Sequence, residues 1–355
     1  MEFQPVGGGI RRKVFHNIFD ELITLENLFL SWQEFKRGKS KRKDVQEFEF
    51  NLEDNIFQLH QELKESKYRH SKYHSFYICD PKLRHIHKAA VKDRVVHHLV
   101  SKIFQQIYDR SFIYDSYSCR LGKGTHKAVN RLRKFSLKES QNNKNNFYVL
   151  KCDIRKFFDN VDHQILVALL KKRIKDERFL WLIKEIVFSF ETLPGKGIPL
   201  GNLTSQYFAN IYLNELDQFI KHKLRIKYYI RYTDDFVILD ENRKKLEELV
   251  MPINNFLLRR LKLSLHPEKI IIRKFSQGAD FLGYVSFPHF RVLRTKTKRR
   301  IFRKILRKIQ MLKIGDIAED SFHQSVQSYF GVLSHANCYK IRKELENKIK
   351  ICSKH

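Results

Sequence analysis

Two adjacent aspartates, Asp234 and Asp235, stand between two short runs of strand-forming residues. We expect both carboxylates at the tip of a β-hairpin, where their mutual repulsion is costly unless a cation neutralises it. A third aspartate, Asp153, lies just after another apolar run, residues 147–150. Three carboxylates at strand ends are typical of a two-metal site for phosphoryl or nucleotidyl transfer. Because aspartate also favours ordinary turns, the pair alone is consistent with a plain β-turn as well.

The elements expected to position these aspartates alternate between strands and helices. A polar stretch at residues 141–146 separates an N-terminal, mainly helical part from a central mixed part, and the part after about residue 290 is helical and basic. The order predicts an α+β fold with an antiparallel sheet. The predicted strands are 73–78 (ending at residues 80–81), 147–153, 270–275, 279–286 and the hairpin around 232–235, and the predicted helices are two within 12–65 and others at 92–108, 126–135, 161–190, 202–222 and 242–261.

The composition of the chain indicates which class of partner it binds. The chain of 355 residues carries a net charge of +30, and 42% of its residues are hydrophobic. A folded protein this basic is expected to bind a polyanion, with nucleic acid the first candidate and a membrane surface the second. Five scattered cysteines without a CxxC pair support neither a zinc nor a redox motif. With no long apolar run and no secretory signal, we expect a cytoplasmic protein without a membrane span, which begins with a flexible leader at residues 7–9.

Two residues that follow Asp153 are candidates for contact with metal or nucleotide. The carbonyl of Ile154 would offer a second oxygen beside Asp153. Phe158 lies where the chain turns back from the strand, and a large side chain there would close the floor beneath a nucleotide sugar and exclude a 2′-hydroxyl. Its neighbour Phe157 is expected to be a core aromatic, and that alternative stays open for Phe158 too.

Two glycine turns carry further candidates. In the segment 198–206, Leu200 and Gly201 lead into a helix, and the glycine would let the backbone approach a base pair or sugar closely. Because Asn, Thr and Ser follow, an ordinary capped helix start is the alternative. Arg120 precedes the second turn, residues 122–124, and its guanidinium suits the negative charge of a triphosphate. The spacing of a P-loop is absent.

Two basic features lie further along the chain. Lys269 is a candidate to protonate a leaving pyrophosphate, or it is an ordinary exposed lysine. Residues 291–313 contain eleven Lys or Arg and no acid, and they show an apolar face at helical spacing. Such a helix binds phosphates, a membrane or an acidic helix; beside a phosphoryl-transfer site we expect phosphate contacts. The residues assigned to these contacts are Lys298, Arg299, Arg300, Arg303 and Arg307.

Taken in order, the motifs resemble the palm and fingers of reverse transcriptases. The resemblance covers most of residues 80–290, in the segments 84–100, 119–128, 153–159, 198–206, 232–235, 265–269 and 281–284. It implies a right-hand polymerase fold with helical fingers, an antiparallel-sheet palm and a short helical thumb. The expected parts are residues 1–145 for the N-terminal extension and fingers, 146–289 for the palm and 290–355 for the basic thumb.

The resemblance also assigns roles to single residues. It implies that Asp153, Asp234 and Asp235 bind two Mg²⁺ ions, with Mn²⁺ as an alternative. One ion would activate the primer 3′-hydroxyl, and the other would hold the triphosphate of the incoming dNTP and stabilise the leaving pyrophosphate. The remaining assignments are Phe158 as the sugar-gate aromatic, Arg120 near the triphosphate, and Gly283 and Tyr284 in the primer-grip hairpin.

Within this family, the amino-acid sequences of four segments are similar to those of diversity-generating retroelement enzymes. The segments are 94–98, 122–128, 201–206 and 328–337. Such enzymes copy a template-repeat RNA into cDNA with errors at template adenines, and they act with a small basic, oligomeric accessory protein. The resemblance therefore implies template RNA, an RNA/cDNA duplex, dNTPs and that accessory protein as partners, in a bacterial or phage-encoded setting.

One position departs from the wider family. Most reverse transcriptases carry Gln before the glycine of the 198–206 motif, where this chain has Leu200. An amide beside the nascent base pair can hydrogen-bond the nucleotide and test its geometry, whereas an aliphatic side chain cannot. We expect Leu200 to relax selection against mispairs, particularly opposite adenine.

Three alternatives remain. Another bacterial reverse transcriptase, of group II intron, retron or phage-defence type, is the nearest. We expect an intron protein to carry a longer maturase region after the thumb than residues 290–355 provide, and the Asn-Ala-x-x-His element of retron enzymes is not in this sequence. A non-catalytic RNA-binding protein on the same scaffold conflicts with the three intact aspartates, and a basic membrane-surface or structural protein is supported by charge alone.

Overall fold

A computed structural model describes residues 13–79 and 83–352 of the chain. The leader predicted at residues 7–9 and the strand end predicted at residues 80–81 lie outside the described residues. The helices are α1 (Phe19–Leu22), α2 (Leu25–Lys36), α3 (Lys43–Phe50), α4 (Leu52–Lys64), α5 (Val91–Tyr108), α6 (Thr125–Glu139), α7 (Phe157–Asn160), α8 (His163–Lys171), α9 (Glu177–Val187), α10 (Leu203–Gln218), α11 (Arg243–Phe256), α12 (Thr295–Lys313), α13 (Glu319–Ser334) and α14 (Tyr339–Cys352).

The strands form one two-stranded, one four-stranded and one three-stranded sheet. Their orders are β1-β2, β4-β5-β3-β6 and β7-β8-β9. The pairs β1·β2, β3·β6, β7·β8 and β8·β9 are antiparallel, which confirms the predicted α+β class. The bounds are β1 (His74–Cys79), β2 (Leu83–Lys88), β3 (Tyr148–Asp153), β4 (Tyr228–Tyr232), β5 (Asp235–Asp240), β6 (Ile271–Lys274), β7 (Ala279–Phe281), β8 (Tyr284–Ser286) and β9 (Arg291–Leu293).

Local capping and breaking residues set the helix boundaries within two of the predicted helical regions. The region 12–65 forms four helices instead of two, because Thr24 caps α2 and Asn51 interrupts the chain between α3 and α4. The region 161–190 contains two helices because Asp162 and Asp176 begin α8 and α9. Their carboxylates accept hydrogen bonds from the backbone amides three residues on, at 3.0 and 2.9 Å.

Contacts within the chain define two compact units. The first comprises Met1–Gly122, Cys152–Phe236 and Leu249–Ile270; the second comprises Lys123–Lys151, Val237–Glu248 and Ile271–His355. The division of the chain at residues 145 and 289 stays a prediction. No helix in residues 13–79 and 83–352 combines the length and apolar character that a membrane span requires.

In the first unit, α5 is the central helix and packs against α2 and α10. Its predicted apolar face is buried, including Val95, Val96 and Leu99. A polar contact reinforces this packing, because the Nδ1 of buried His97 lies 2.7 Å from the hydroxyl of Thr204 on α10. Burial lowers the pKa of His97 well below its ordinary value, so the imidazole stays neutral in the core.

In the second unit, the basic helix α12 packs its apolar face against α13 and α14. Ile301, Ile305 and Ile309 are buried, as the helical spacing predicts. Because the apolar face is already covered within the unit, α12 lacks the exposed apolar stripe with which an amphipathic helix enters a membrane. Its basic face remains for polar partners.

Candidate active site

The hairpin carrying the aspartate pair is confirmed. β4 ends at Tyr232 and β5 begins at Asp235, so Thr233 and Asp234 form the turn. Thr233 adopts a left-handed backbone conformation with φ of 53°, which is unfavourable for a β-branched residue. Its hydroxyl pairs with that of Ser118 at 2.7 Å, which helps to hold the strained turn.

The third aspartate lies beside this turn in the same unit. Asp153 is the last residue of β3, and the amide of the next residue, Ile154, donates a hydrogen bond to the carbonyl of Asp234 at 3.2 Å. The carbonyl of Asp153 accepts a bond from the amide of His266 at 2.8 Å. These backbone bonds bring all three predicted aspartates to one place in the first unit.

The chemistry of the three carboxylates fits a divalent cation, because Mg²⁺ and Mn²⁺ prefer oxygen ligands. Burial, together with the Asp153 carboxylate, raises the pKa of Asp234 to about 6, an electrostatic cost that a bound cation would offset. In the part of the chain that the structure describes, no three acidic, histidine or cysteine side chains converge into a ready ligand set. Joint coordination therefore needs a change in side-chain conformation.

Lys269 forms an ion pair with the third aspartate, Asp153. Its ammonium lies 2.7 Å from Oδ1 of Asp153, and neither side chain is fully buried. The lysine is thus a direct neighbour of a predicted metal ligand rather than an isolated surface cation. The carbonyl of Ile154 accepts no hydrogen bond from any of the described residues and is available as an oxygen ligand.

A buried ion pair beneath the hairpin was not anticipated from the sequence. Arg231 on β4 donates to Asp217 on α10 from Nε at 2.7 Å and from Nη2 at 2.6 Å, and both side chains have no exposed surface. The guanidinium also donates to the carbonyl of Thr233 at 3.1 Å and to the hydroxyl of Ser116 at 3.1 Å. Arg231 therefore ties the turn of Asp234 to the core, and no local sequence pattern signals this pairing.

The Leu200 turn packs against β2. The carbonyl of Leu200 accepts from the amide of His87 at 3.3 Å, and Gly201 has φ of +110°. A Cβ at Gly201 would lie 3.2 Å from Ile86, so glycine is required both by conformation and by this close approach. The predicted cap is absent, because the Asn202 side chain reaches the carbonyl of His87 instead, at 3.4 Å.

The two phenylalanines after Asp153 differ in burial. Phe157 is 1% exposed and is the core aromatic that the sequence predicts. Phe158 is only half-buried, and its ring meets that of Phe157 edge-on at 5.2 Å. An accessible ring of this kind suits the sugar-gate assignment, which stays a prediction.

Arg120 is placed differently from its predicted role near the triphosphate. Its Nε donates to the carboxylate of Asp109 at 2.7 Å, and its other nitrogens donate to the carbonyls of Ile113, Ser116 and Asp109. The side chain is 8% exposed. Because its donors are used inside the first unit, the structure favours a structural role for Arg120 over a phosphate contact.

Arg84 is a further candidate, which the motifs do not single out by themselves. It is exposed on β2, and its positive charge acts on Asp234, where it opposes the effect of burial on the pKa of that carboxyl. A cation at this position is suited to the phosphates of a nucleotide held by the aspartates. Its place in the segment 84–100 was the available signal.

The residues predicted to bind nucleic acid in the second unit fall into two groups. Tyr284 is 2% exposed, and its hydroxyl donates to the carbonyl of Val332 at 3.1 Å. This burial favours a packing role for Tyr284 and leaves the turn at Leu282 and Gly283, both with positive φ, as the accessible part of that hairpin.

The basic residues of α12 form a partly exposed surface. Arg299, Arg303 and Arg307 are exposed and recur every fourth residue, so they follow one stripe about 6 Å apart. Lys298 and Arg300 are half-buried at its side. This spacing is comparable with the spacing of phosphates along a nucleic-acid strand and is consistent with the predicted phosphate contacts.

Comparison with known proteins bears on the family. Residues 75–286 match the family described as "Reverse transcriptase (RNA-dependent DNA polymerase)", which is more than half of the chain. Protein YkfC of Escherichia coli (strain K12) is 26% identical over 241 residues, which cover 57% of this chain and 63% of that protein. The group II intron-encoded protein LtrA of Lactococcus lactis subsp. cremoris is 25% identical over 322 residues, which cover 70% of this chain and 51% of LtrA.

A further relative is the putative COX1/OXI3 intron 2 protein of Saccharomyces cerevisiae (strain ATCC 204508 / S288c), 22% identical over 258 residues, which cover 54% of this chain and 29% of that protein. The chain thus spans less than two thirds of the length of each of these three relatives. The family match includes Asp153, Asp234 and Asp235 together with the strands that carry them. On this match and this architecture, the chain belongs to the reverse transcriptase family.

Proposed function

We propose that this chain is an RNA-directed DNA polymerase of the group II intron-like kind. The observation that carries the proposal is the meeting of three aspartates at the ends of β3 and β5, linked by the hydrogen bond from the amide of Ile154 to the carbonyl of Asp234. The match of residues 75–286 to the reverse transcriptase family supports it. Template RNA, the RNA/cDNA duplex and dNTPs are the substrates that follow.

In this proposal Asp153, Asp234, Asp235 and the carbonyl of Ile154 hold two Mg²⁺ ions, or Mn²⁺ in their place. When bound, such ions supply the charge that activates the primer 3′-hydroxyl and neutralises the triphosphate and pyrophosphate. The chain's own part is to fix the backbone that carries these carboxylates, so that only the side-chain conformations have to change when metal and substrate bind.

Three more residues act on the incoming nucleotide in this scheme. The half-buried ring of Phe158 closes the floor beneath the sugar and excludes a 2′-hydroxyl. The exposed guanidinium of Arg84 takes a phosphate, the role that Arg120 is too enclosed to fill. The left-handed Gly201 keeps the backbone free of a Cβ where the Leu200 turn meets β2.

Lys269 is proposed to donate the proton to the leaving pyrophosphate, and its place beside Asp153 supports this role. Lys269→Arg keeps a cation next to that carboxylate but provides a group that does not release its proton. We expect this variant to slow single-nucleotide incorporation by roughly 100-fold, the usual scale of general acid catalysis. Rapid-quench measurements at saturating dNTP would test it. Wild-type incorporation by Lys269→Arg would reduce the role of Lys269 to electrostatics.

We further propose that the enzyme belongs to a diversity-generating retroelement and makes cDNA with errors at template adenines. Two sequence features support this: Leu200 in place of the usual Gln, and the amino-acid sequences of the segments 94–98, 122–128, 201–206 and 328–337. A small basic, oligomeric accessory protein would then act with it, in the cytoplasm of a bacterial host. Because both proteins would be basic, bound RNA is the natural bridge between them.

The error-prone character rests on Leu200 in this proposal. The contact of Leu200 with His87 is made by its backbone carbonyl, so Leu200→Gln leaves it intact. One added neutral hydrogen bond is worth about 1 kcal/mol, so we expect misincorporation opposite adenine to fall roughly five- to tenfold. Sequencing of cDNA made by each variant measures this, with Leu193→Gln at an exposed leucine as the matched control. An unchanged error spectrum in Leu200→Gln would contradict the proposal.

Primer extension on a defined RNA template with Mg²⁺, followed by sequencing of the products, tests the whole proposal. It is run with and without the product of any small basic-protein gene that neighbours the coding sequence. Substitutions concentrated at template adenines support both the polymerase and the retroelement role. Faithful cDNA supports the polymerase but favours an intron-like or phage-defence role. RNA binding without any cDNA under all these conditions favours a non-catalytic binding protein.

A further inference from the structure

The second unit contains a cavity that none of the roles above uses. Its volume is about 420 Å³, and it is lined by residues of α6, of the β8–β9 hairpin and of the chain that ends α13. This volume lies within the range of small-ligand sites, roughly 300–1,000 Å³. None of its lining residues is acidic, whereas two are arginines and two are histidines.

The first arginine, Arg291, is held by neutral groups. Its guanidinium donates to the side-chain oxygen of Asn130 at 3.0 Å and to the carbonyls of Val129 and His335 at 3.0 and 3.1 Å. Its Nε is buried and has no hydrogen-bond partner. Carbonyl and amide oxygens do not neutralise a full positive charge, so this site still favours an anion.

The second arginine, Arg133 on α6, adds positive charge at the same cavity. It is exposed, and together with burial it lowers the pKa of Arg291. Neither arginine has a carboxylate within ion-pair distance in residues 13–79 and 83–352. Two cations beside one cavity without an acidic partner are the usual surroundings of a phosphate.

The cavity also offers a hydroxyl and an aromatic surface. Ser286 is 4% exposed, and its Oγ is buried with no hydrogen-bond partner. At the tip of the β8–β9 hairpin, the rings of Phe287 and Phe290 stack at 4.7 Å, and Phe290 is 49% exposed. An exposed ring beside a cationic site suits a nucleobase, since every base presents a face for stacking.

We propose that this cavity binds a nucleoside monophosphate unit, with its phosphate on Arg133 and Arg291 and its base against Phe290. A phosphate alone would leave the aromatic tip unused, and an apolar ligand would leave the two arginines without a counter-charge and the hydroxyl of Ser286 without a hydrogen-bond partner. The occupant is either a free nucleotide or one nucleotide of a single-stranded RNA. The site is composed of second-unit residues only, so its binding does not depend on polymerisation.

The test is calorimetric titration of the full chain with two probes, adenosine 5′-monophosphate and a 5′-phosphorylated penta-adenylate RNA, and with adenosine as the control that lacks a phosphate. EDTA is present, so that metal-dependent binding at the aspartates does not contribute. Arg133→Ala is expected to weaken binding roughly tenfold through the lost phosphate contact. Phe290→Ala is expected to weaken it about five- to tenfold through lost stacking. Lys134→Ala, which removes the same charge from the neighbouring exposed position on α6, is the matched control and is expected to change binding less than about twofold.

The two probes separate the two sources of the nucleotide. Dependence of both probes on Arg133 and Phe290 identifies a free-nucleotide site, and dependence of the RNA alone identifies a strand-binding site. Equal effects of Arg133→Ala and Lys134→Ala would overturn the proposal, because they would reduce the binding to general charge attraction. Adenosine without a phosphate binding as tightly as the monophosphate would overturn it as well. Arg291 is left unchanged, because its backbone contacts make it part of the fold.

Discussion

Asp234→Asn is expected to lower the rate of primer extension by roughly 10⁴-fold, which corresponds to about 5 kcal/mol of lost transition-state stabilisation. Asparagine keeps the size and the turn-forming tendency of the side chain but removes its charge, so the hairpin should stay folded. Burial and the Asp153 carboxylate make the charge of this carboxylate costly, and a bound cation would offset that cost. Single-turnover extension of an RNA-templated primer in Mg²⁺ measures the effect.

The matched control is Asp240→Asn, at the other end of β5, where the carboxylate pairs with Lys245. We expect near-wild-type extension from it. RNA binding, measured by a filter or fluorescence assay, should be retained by both variants, which separates lost chemistry from lost folding. If Asp234→Asn extends primers at a rate close to that of the unchanged enzyme, this carboxylate has no catalytic role.

The second large effect concerns stability. Asp217→Asn leaves the fully buried guanidinium of Arg231 without its counter-charge, which is expected to cost about 3–5 kcal/mol in the free energy of unfolding. The carboxylate also accepts a hydrogen bond from the hydroxyl of Tyr229 at 2.7 Å, so its loss affects both Arg231 and Tyr229. Urea unfolding monitored by circular dichroism measures the change.

Two further variants make this prediction specific. Glu215→Gln on the same helix breaks a partly exposed pair with Lys172, and we expect a loss below about 1 kcal/mol. The double variant Asp217→Leu with Arg231→Met removes both charges and should regain most of the lost stability. It should still extend primers poorly, because the bond from Arg231 to the carbonyl of Thr233, which holds the turn of Asp234, is gone. Wild-type extension by the double variant would show that the network only stabilises the fold.

The features that could be predicted from the sequence depend on signals that act over a few residues. The order of strand, aspartate and hairpin predicted where Asp153, Asp234 and Asp235 lie, because strand propensity and turn chemistry act within a few residues. The apolar spacing of α5 and α12 predicted their buried faces for the same reason. The division of residues 12–65 into four helices was missed, since single breakers such as Asn51 weigh little against a long periodic pattern.

Local sequence patterns do not predict which polar side chains become buried. Arg120 and Tyr284 matched the motif of a nucleotide-binding family, yet the structure uses the donors of Arg120 inside the first unit and the hydroxyl of Tyr284 inside the second. Arg84 begins the segment 84–100, but only the structure shows that its charge acts on Asp234. In each case the partner lies far along the chain or is a backbone carbonyl, which a motif does not encode.

By itself, the sequence determined the α+β class, the positions of the three aspartates and the resemblance to the reverse transcriptase family. These follow from residue types and spacings that act over one strand, turn or helix. Only the tertiary structure decided which cations lie beside the aspartates, how Arg231 and Asp217 hold the turn of Asp234, and that α6 and the β8–β9 hairpin line a cationic cavity. Those features depend on burial and on pairing between distant residues, and both arise when the chain packs.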